Sequence, residues 1–124
     1  MDTSIWIDHL RAADRALQRL LEAFLVLGHP WVLGEIALGQ LARRAEVLRL
    51  LAALPAAMHP TDGETAVFLE RHQLVGRGIG YVDLHLLAAT ALTPDASLWT
   101  RDRRLAACAA DLGLAVDAAL VRPR

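Results

Sequence analysis

Four acidic residues, Asp2, Glu35, Asp83 and Asp102, lie far apart in the chain, and each falls near the start of an expected helix. Carboxylate oxygens are hard ligands, and a group that converges suits Mg²⁺ or Mn²⁺. Ions held in this way polarise a phosphate and lower the pKa of a bound water, which is the chemistry of phosphodiester hydrolysis. The competing reading is structural. Acidic side chains near helix starts complement the helix dipole and satisfy exposed amides, so position alone leaves capping and catalysis both open. Two sequence contexts favour chemistry. Glu35 lies within Val32-Leu33-Gly34-Glu35-Ile36-Ala37-Leu38 and Asp83 within Tyr81-Val82-Asp83-Leu84-His85-Leu86-Leu87. Both are charges in apolar runs, where an unpaired carboxylate is costly. Asp102 follows the apolar stretch Ser97-Leu98-Trp99-Thr100, and the crevice beyond the carboxyl ends of strands is the usual place for a site in an open α/β sheet. The acids show no His or Cys spacing of a zinc centre.

Arg101, Arg103 and Arg104 surround Asp102, and Arg77 precedes Asp83 in a glycine-rich connector, Gly76-Arg77-Gly78-Ile79-Gly80. They read equally as phosphate contacts or as a solvated face. The connector lacks the spacing of a nucleotide-phosphate loop, and the chain has no lysine to serve one. His9 and His85 lie close in sequence to proposed site residues but read as core-edge or exposed groups. His29, His59 and His72 read as boundary or surface residues. Trp6, Trp31 and Trp99 are expected to pack in the core rather than stack on bases, Asp8 to cap or pair at the surface, and Cys108 to be a buried, inert thiol.

The elements that must position these residues are mostly helical, because leucine and alanine dominate and β-branched runs are few. Helices are expected over Thr3–Leu10, with Thr3 or Ser4 as cap and Trp6, Ile7 and Leu10 as its stripe, and over Ala13–Leu27, with Leu17, Leu20, Leu21, Phe24 and Leu25 recurring. The next covers Leu33–Arg44, with Leu38, Leu41 and Ala42 on its apolar side. Glu46–Leu54, Thr61–Leu74, Tyr81–Thr93 and Arg103–Leu112 follow. Thr61 with Glu64 forms a capping-box pattern, and Gly113 is a natural C-cap. Short strands are expected at Ala56–His59, Ala96–Thr100 and Leu114–Val116. Strands alternating with helices predict an α/β layer arrangement with a small parallel sheet.

A chain of 124 residues with 55% hydrophobic content is the size of one domain with a substantial core, and residues 1–124 read as one unit. All 13 basic residues are arginine, and the net charge of -1 removes any global electrostatic case for nucleic acid. One cysteine excludes an intrachain disulfide and an all-cysteine metal site. The absence of a signal-peptide pattern or a long apolar run makes a soluble, cytoplasmic protein with no membrane partner the expectation.

Four stretches in order resemble the PIN-domain ribonucleases, specifically the VapC-type toxins of bacterial toxin–antitoxin pairs. They are Asp2-Thr3-Ser4-Ile5-Trp6-Ile7-Asp8, Leu33-Gly34-Glu35-Ile36-Ala37-Leu38-Gly39, Gly78-Ile79-Gly80-Tyr81-Val82-Asp83-Leu84-His85-Leu86-Leu87-Ala88 and Leu98-Trp99-Thr100-Arg101-Asp102-Arg103-Arg104-Leu105. The resemblance spans essentially the whole chain. It implies a PIN-like three-layer α/β/α fold with a small parallel sheet. It also implies an acidic quartet of Asp2, Glu35, Asp83 and Asp102 that binds Mg²⁺ or Mn²⁺, with Ser4 and Thr100 as accompanying hydroxyls. The implied activity is an endoribonuclease toxin acting on RNA, with a cognate VapB-like antitoxin and a homodimeric assembly. A non-toxin RNA-processing nuclease and a catalytically inactive PIN-like binding protein are the alternatives. One departure stands out: the family carries several apolar residues before the first aspartate, and here only Met1 precedes Asp2, so the first strand is expected to be truncated.

Overall fold

The computed structural model describes residues 1–11, 15–22 and 26–121. Phe24 and Leu25 of the expected second helix, and the side chains of Asp8 and Leu10, lie outside the described residues. Eight helices form within them: α1 (Thr3–Arg11), α2 (Arg15–Glu22), α3 (Pro30–Ala37), α4 (Arg44–Ala52), α5 (Asp62–Arg71), α6 (Tyr81–Leu92), α7 (Arg103–Asp111) and α8 (Ala118–Val121).

Helix starts follow local chemistry. At α5, Thr61 accepts from the Glu64 amide while Glu64 accepts from the Thr61 amide, a complete capping box. Asp102 caps α7 by accepting from the amides of Arg104 and Leu105. Helix α3 begins three residues earlier than its apolar spacing predicts. Pro30 occupies the first turn, where its missing N–H costs nothing, and His29 caps it by accepting from the Trp31 amide through Nδ1 at 3.1 Å. Leu38, expected on the apolar side of this helix, is its C-cap and is 89% exposed. Helix α8 was not anticipated by any periodic signal.

Helix α6 is the centre of the molecule, with every residue from Leu84 to Thr90 buried. A helix apolar on all sides belongs inside a protein. It packs against α5, while α3 packs against both α1 and α4 and α2 packs against α8. The core joins Ile5 and Trp6 of α1, Leu17 of α2, Val32 and Ile36 of α3, and Leu84, Leu86 and Leu87 of α6 to Leu98, Trp99, Leu105 and Cys108. Burial of Trp6, Trp99 and Cys108 accords with the sequence; Trp31 is only half-buried.

The expected sheet does not form among the described residues. In place of strands there are two isolated parallel bridges, Gly28 with Ala56 and Leu98 with Ala115. The first is made by Gly28 N–H donating to Pro55 O at 2.7 Å and Ala57 N–H to Gly28 O at 2.9 Å; the second by Leu98 N–H donating to Leu114 O and Val116 N–H to Leu98 O. A further bond, Asp2 N–H to Trp99 O at 3.1 Å, ties the chain start to the second pair. Sheets gain stability from three or more paired strands. A cavity of about 310 Å³ lies alongside the second pair, bordered by Met1, Leu20, Val26, Leu27, Trp99 and Val116. Each pair is a single bridge, and neither extends into a ladder among the described residues. The helical part of the expected layer arrangement is present, and the parallel sheet is reduced to these contacts.

Candidate active site

Asp2 and the Thr3 that opens α1 lie beside Trp99 because of the Asp2–Trp99 backbone bond. The hydroxyls expected to cap this helix instead turn to carboxylates. Ser4 Oγ donates to Asp2 Oδ2 at 3.0 Å, Thr100 Oγ1 donates to the same oxygen at 2.5 Å, and Thr3 Oγ1 donates to Glu35 Oε1 at 3.0 Å. The Arg101 amide donates to Ser4 Oγ and the Asp102 amide to Thr100 Oγ1. Ser4 and Thr100 therefore link the chain start to the segment that leads into α7. Thr3 was missed by sequence reading; its adjacency to Asp2 was the available signal.

A common pattern governs the four acids. Asp2 commits Oδ2 to two hydroxyls, Glu35 commits Oε1 to Thr3, Asp83 commits Oδ2 to the Gly80 amide at 3.3 Å, and Asp102 commits Oδ1 to two amides at the α7 start. The second oxygen of each has no hydrogen-bond partner among the described residues. The helix-start bonds of Asp83 and Asp102, which the sequence set against a chemical role, thus engage one oxygen of each group.

Electrostatics brings the four together at Asp83. Its pKa is raised, chiefly by burial, and the charges of Asp2, Asp102 and Glu35 push it further up against the opposing Gly80 hydrogen bond. Like charges gathered in a partly buried place disfavour ionisation. A divalent cation would relieve that repulsion, and four oxygen donors match the ligand preference of Mg²⁺ or Mn²⁺. As placed, no three acidic, histidine or cysteine side chains among the described residues converge closely enough to hold an ion. Glu35 differs from its sequence-based expectation: it is exposed despite apolar neighbours, and the desolvation argument applies to Asp83 alone.

The arginines divide. Arg77 is engaged by Asp111 at 2.8 Å, which anchors the connector to the end of α7 and occupies the guanidinium. The Arg101 guanidinium lies 5.8 Å from the Trp99 ring centroid. Arg103 and Arg104 are exposed in the first turn of α7. Arg104 crosses the connector at Gly78, whose φ is +78°; a Cβ there would meet the Arg104 side chain at 2.8 Å.

The chain is 47% identical over 116 residues to Ribonuclease VapC32 of Mycobacterium tuberculosis, in strain CDC 1551 / Oshkosh and in strain ATCC 25618 / H37Rv alike. The match covers 94% of this chain and 94% of the relative. No family model matches the chain. No solved structure matches it either.

Proposed function

The chain belongs to the VapC-type ribonucleases, given 47% identity across 94% of its length, and on that premise we propose that it is a metal-dependent endoribonuclease toxin hydrolysing RNA phosphodiester bonds. The observation that carries the reading is the set of four carboxylates, each with one oxygen fixed by the fold and one left over. Asp2, Glu35, Asp83 and Asp102 would hold Mg²⁺ or Mn²⁺ through the left-over oxygens. When bound, the ion supplies polarisation of the scissile phosphate and acidification of a water.

The remaining work falls to this chain's own groups. Asp83 or Glu35 would orient the attacking water and take its proton, as a carboxylate within hydrogen-bond reach of the water can do. The water oxygen would form the new bond to phosphorus, its proton would pass to that carboxylate, and the bond to the leaving ester oxygen would break. Ser4 and Thr100 hold Asp2 in place, and Arg103 and Arg104 are the arginines open to phosphate oxygens. A cognate VapB-like antitoxin restrains the activity, with a basic side chain entering the acidic cluster in place of the ion. The toxin acts as a homodimer in the cytoplasm. No helix among the described residues is long and apolar enough to cross a membrane.

One observation favours a second reading, a catalytically inactive RNA-binding relative: the acids are not yet at chelating distance. Incubation with several structured RNAs, with and without Mg²⁺ or Mn²⁺, separates the two. Cleavage should require the ion and fall about a hundredfold or more in Asp83→Asn and Asp102→Asn. Cleavage and divalent-ion affinity that survive both substitutions unchanged would exclude the catalytic assignment.

A further inference from the structure

Resting on the ribonuclease reading, we infer that Tyr81 and Trp31 form an aromatic platform on which a nucleobase of the single-stranded RNA substrate stacks beside the acidic site. Five rings gather here from three segments of the chain: His29 and Trp31 at the start of α3, His59, and Tyr81 and His85 of α6. Trp31 is the hub, with ring centroids 4.0 Å from His85, 5.9 Å from His59, 6.1 Å from Tyr81 and 6.2 Å from His29. Tyr81 meets His85 edge-on at 4.7 Å.

The cluster is fixed at its base and open at its rim. His85 is fully buried, and its Nδ1 faces Thr65 Oγ1 at 3.3 Å while that hydroxyl donates to Thr61 O at 2.9 Å. His29, also buried, is held by the Trp31 amide. At the other end Tyr81 is 57% exposed, His59 is exposed and Trp31 is half-covered. An aromatic ring ordered by its neighbours yet open to solvent presents a π-face at little entropic cost. The cluster's place in the fold identifies the ligand. Trp31 lies one helical turn before Glu35 in α3, and Tyr81 lies in the first turn of α6 with Asp83. Residues four apart on a helix are neighbours, so Trp31 and Glu35 share one face of α3, and a base next to a phosphate held at the carboxylates would lie on the side of the rings. Unpaired bases stack on aromatic side chains with little sequence demand.

Fluorescence anisotropy of a short labelled single-stranded RNA, recorded in EDTA so that nothing is cleaved, tests the platform. Tyr81→Leu keeps bulk without a π-face and should weaken binding about tenfold, the effect of losing one base–aromatic stack. Tyr81→Phe should bind within about twofold of the native chain, because the ring face is retained. In turnover with Mg²⁺, Tyr81→Leu should raise KM and leave kcat nearly unchanged. Equal RNA affinity and KM for Tyr81→Leu and the native chain, with ion-dependent cleavage intact, overturn the platform and leave the ribonuclease reading standing. Loss of neutralisation by the antitoxin with RNA affinity unchanged overturns it in favour of a protein-binding surface. A native chain that neither binds nor cleaves RNA overturns both.

Discussion

Burial holds the Asp83 carboxyl above its ordinary range, and the charges of Asp2, Asp102 and Glu35 press in the same direction. The folded state therefore binds this proton more tightly than the unfolded chain does. Below the ordinary value of 3.8 both states are protonated and nothing is lost; as pH rises from there through the folded value, ionisation weighs against the fold. Asp83→Asn removes that burden and keeps an oxygen for the Gly80 amide. Its melting temperature should exceed the native one by about 1–3 °C at neutral pH, with the gain fading as pH falls toward the ordinary carboxylate range. Calorimetric melts across pH read this directly; a lower midpoint at neutral pH, or a gain independent of pH, would count against it. The sequence marked both Glu35 and Asp83 as charges among apolar residues, and only Asp83 is desolvated. A helix turns by about 100° per residue, so neighbours in sequence do not share a face. Val32 and Ile36 bury one side of α3 and leave Glu35 exposed, whereas α6 is buried from Leu84 to Thr90, directly after Asp83.

Helix boundaries were legible where a single residue type sets them. Thr61 with Glu64, Gly113 with φ +71°, and the α6 run ending before Pro94 all lie where capping chemistry places them. The start of α3 was not legible, because histidine is an uncommon N-cap. That cap also titrates. The His29 pKa is lowered to about 4, first by burial and then by His59, the chain's amino terminus and His85. A depressed histidine contributes stability that is fully present above its ordinary value of 6.5 and is lost as pH falls through about 4. His29→Asn retains a capping acceptor and has no proton to gain. Between pH 6.5 and 4 the native melting temperature should fall a few degrees further than that of His29→Asn. Parallel curves for the two proteins in that window would rule out His29 as the cause. The short strands failed for a different reason. Strand pairing depends on a partner distant in sequence, and alanine-rich segments such as Ala56-Ala57 carry little local preference for it.

Across the whole molecule, the carboxylates come from four distant segments, and only the fold gathers them. The order of the four motifs was legible in the sequence and led to the ribonuclease family, now supported by near-complete coverage of a relative. The separation of the two bridges was not legible, since it depends on residues distant in sequence, such as Leu86 and Thr90, that line the space between Gly28 and Leu98. Because the unfolded chain has no such cluster, an ion that binds there favours the folded state by mass action. Saturating Mg²⁺ or Mn²⁺ should raise the native melting temperature by a few degrees and change Asp83→Asn and Asp102→Asn much less. An equal rise in all three proteins would indicate diffuse surface binding instead. The pairing of one committed and one uncommitted oxygen on each acid has a practical corollary for mutagenesis. At Asp102, asparagine keeps the acceptor that starts α7 and replaces the outward oxygen with an amide nitrogen, while alanine deletes both and adds the roughly 1 kcal/mol loss of a helix cap. An amide scan therefore keeps the hydrogen bonds that hold each acid in place, and an alanine scan of the same positions mixes lost reactivity with lost local structure.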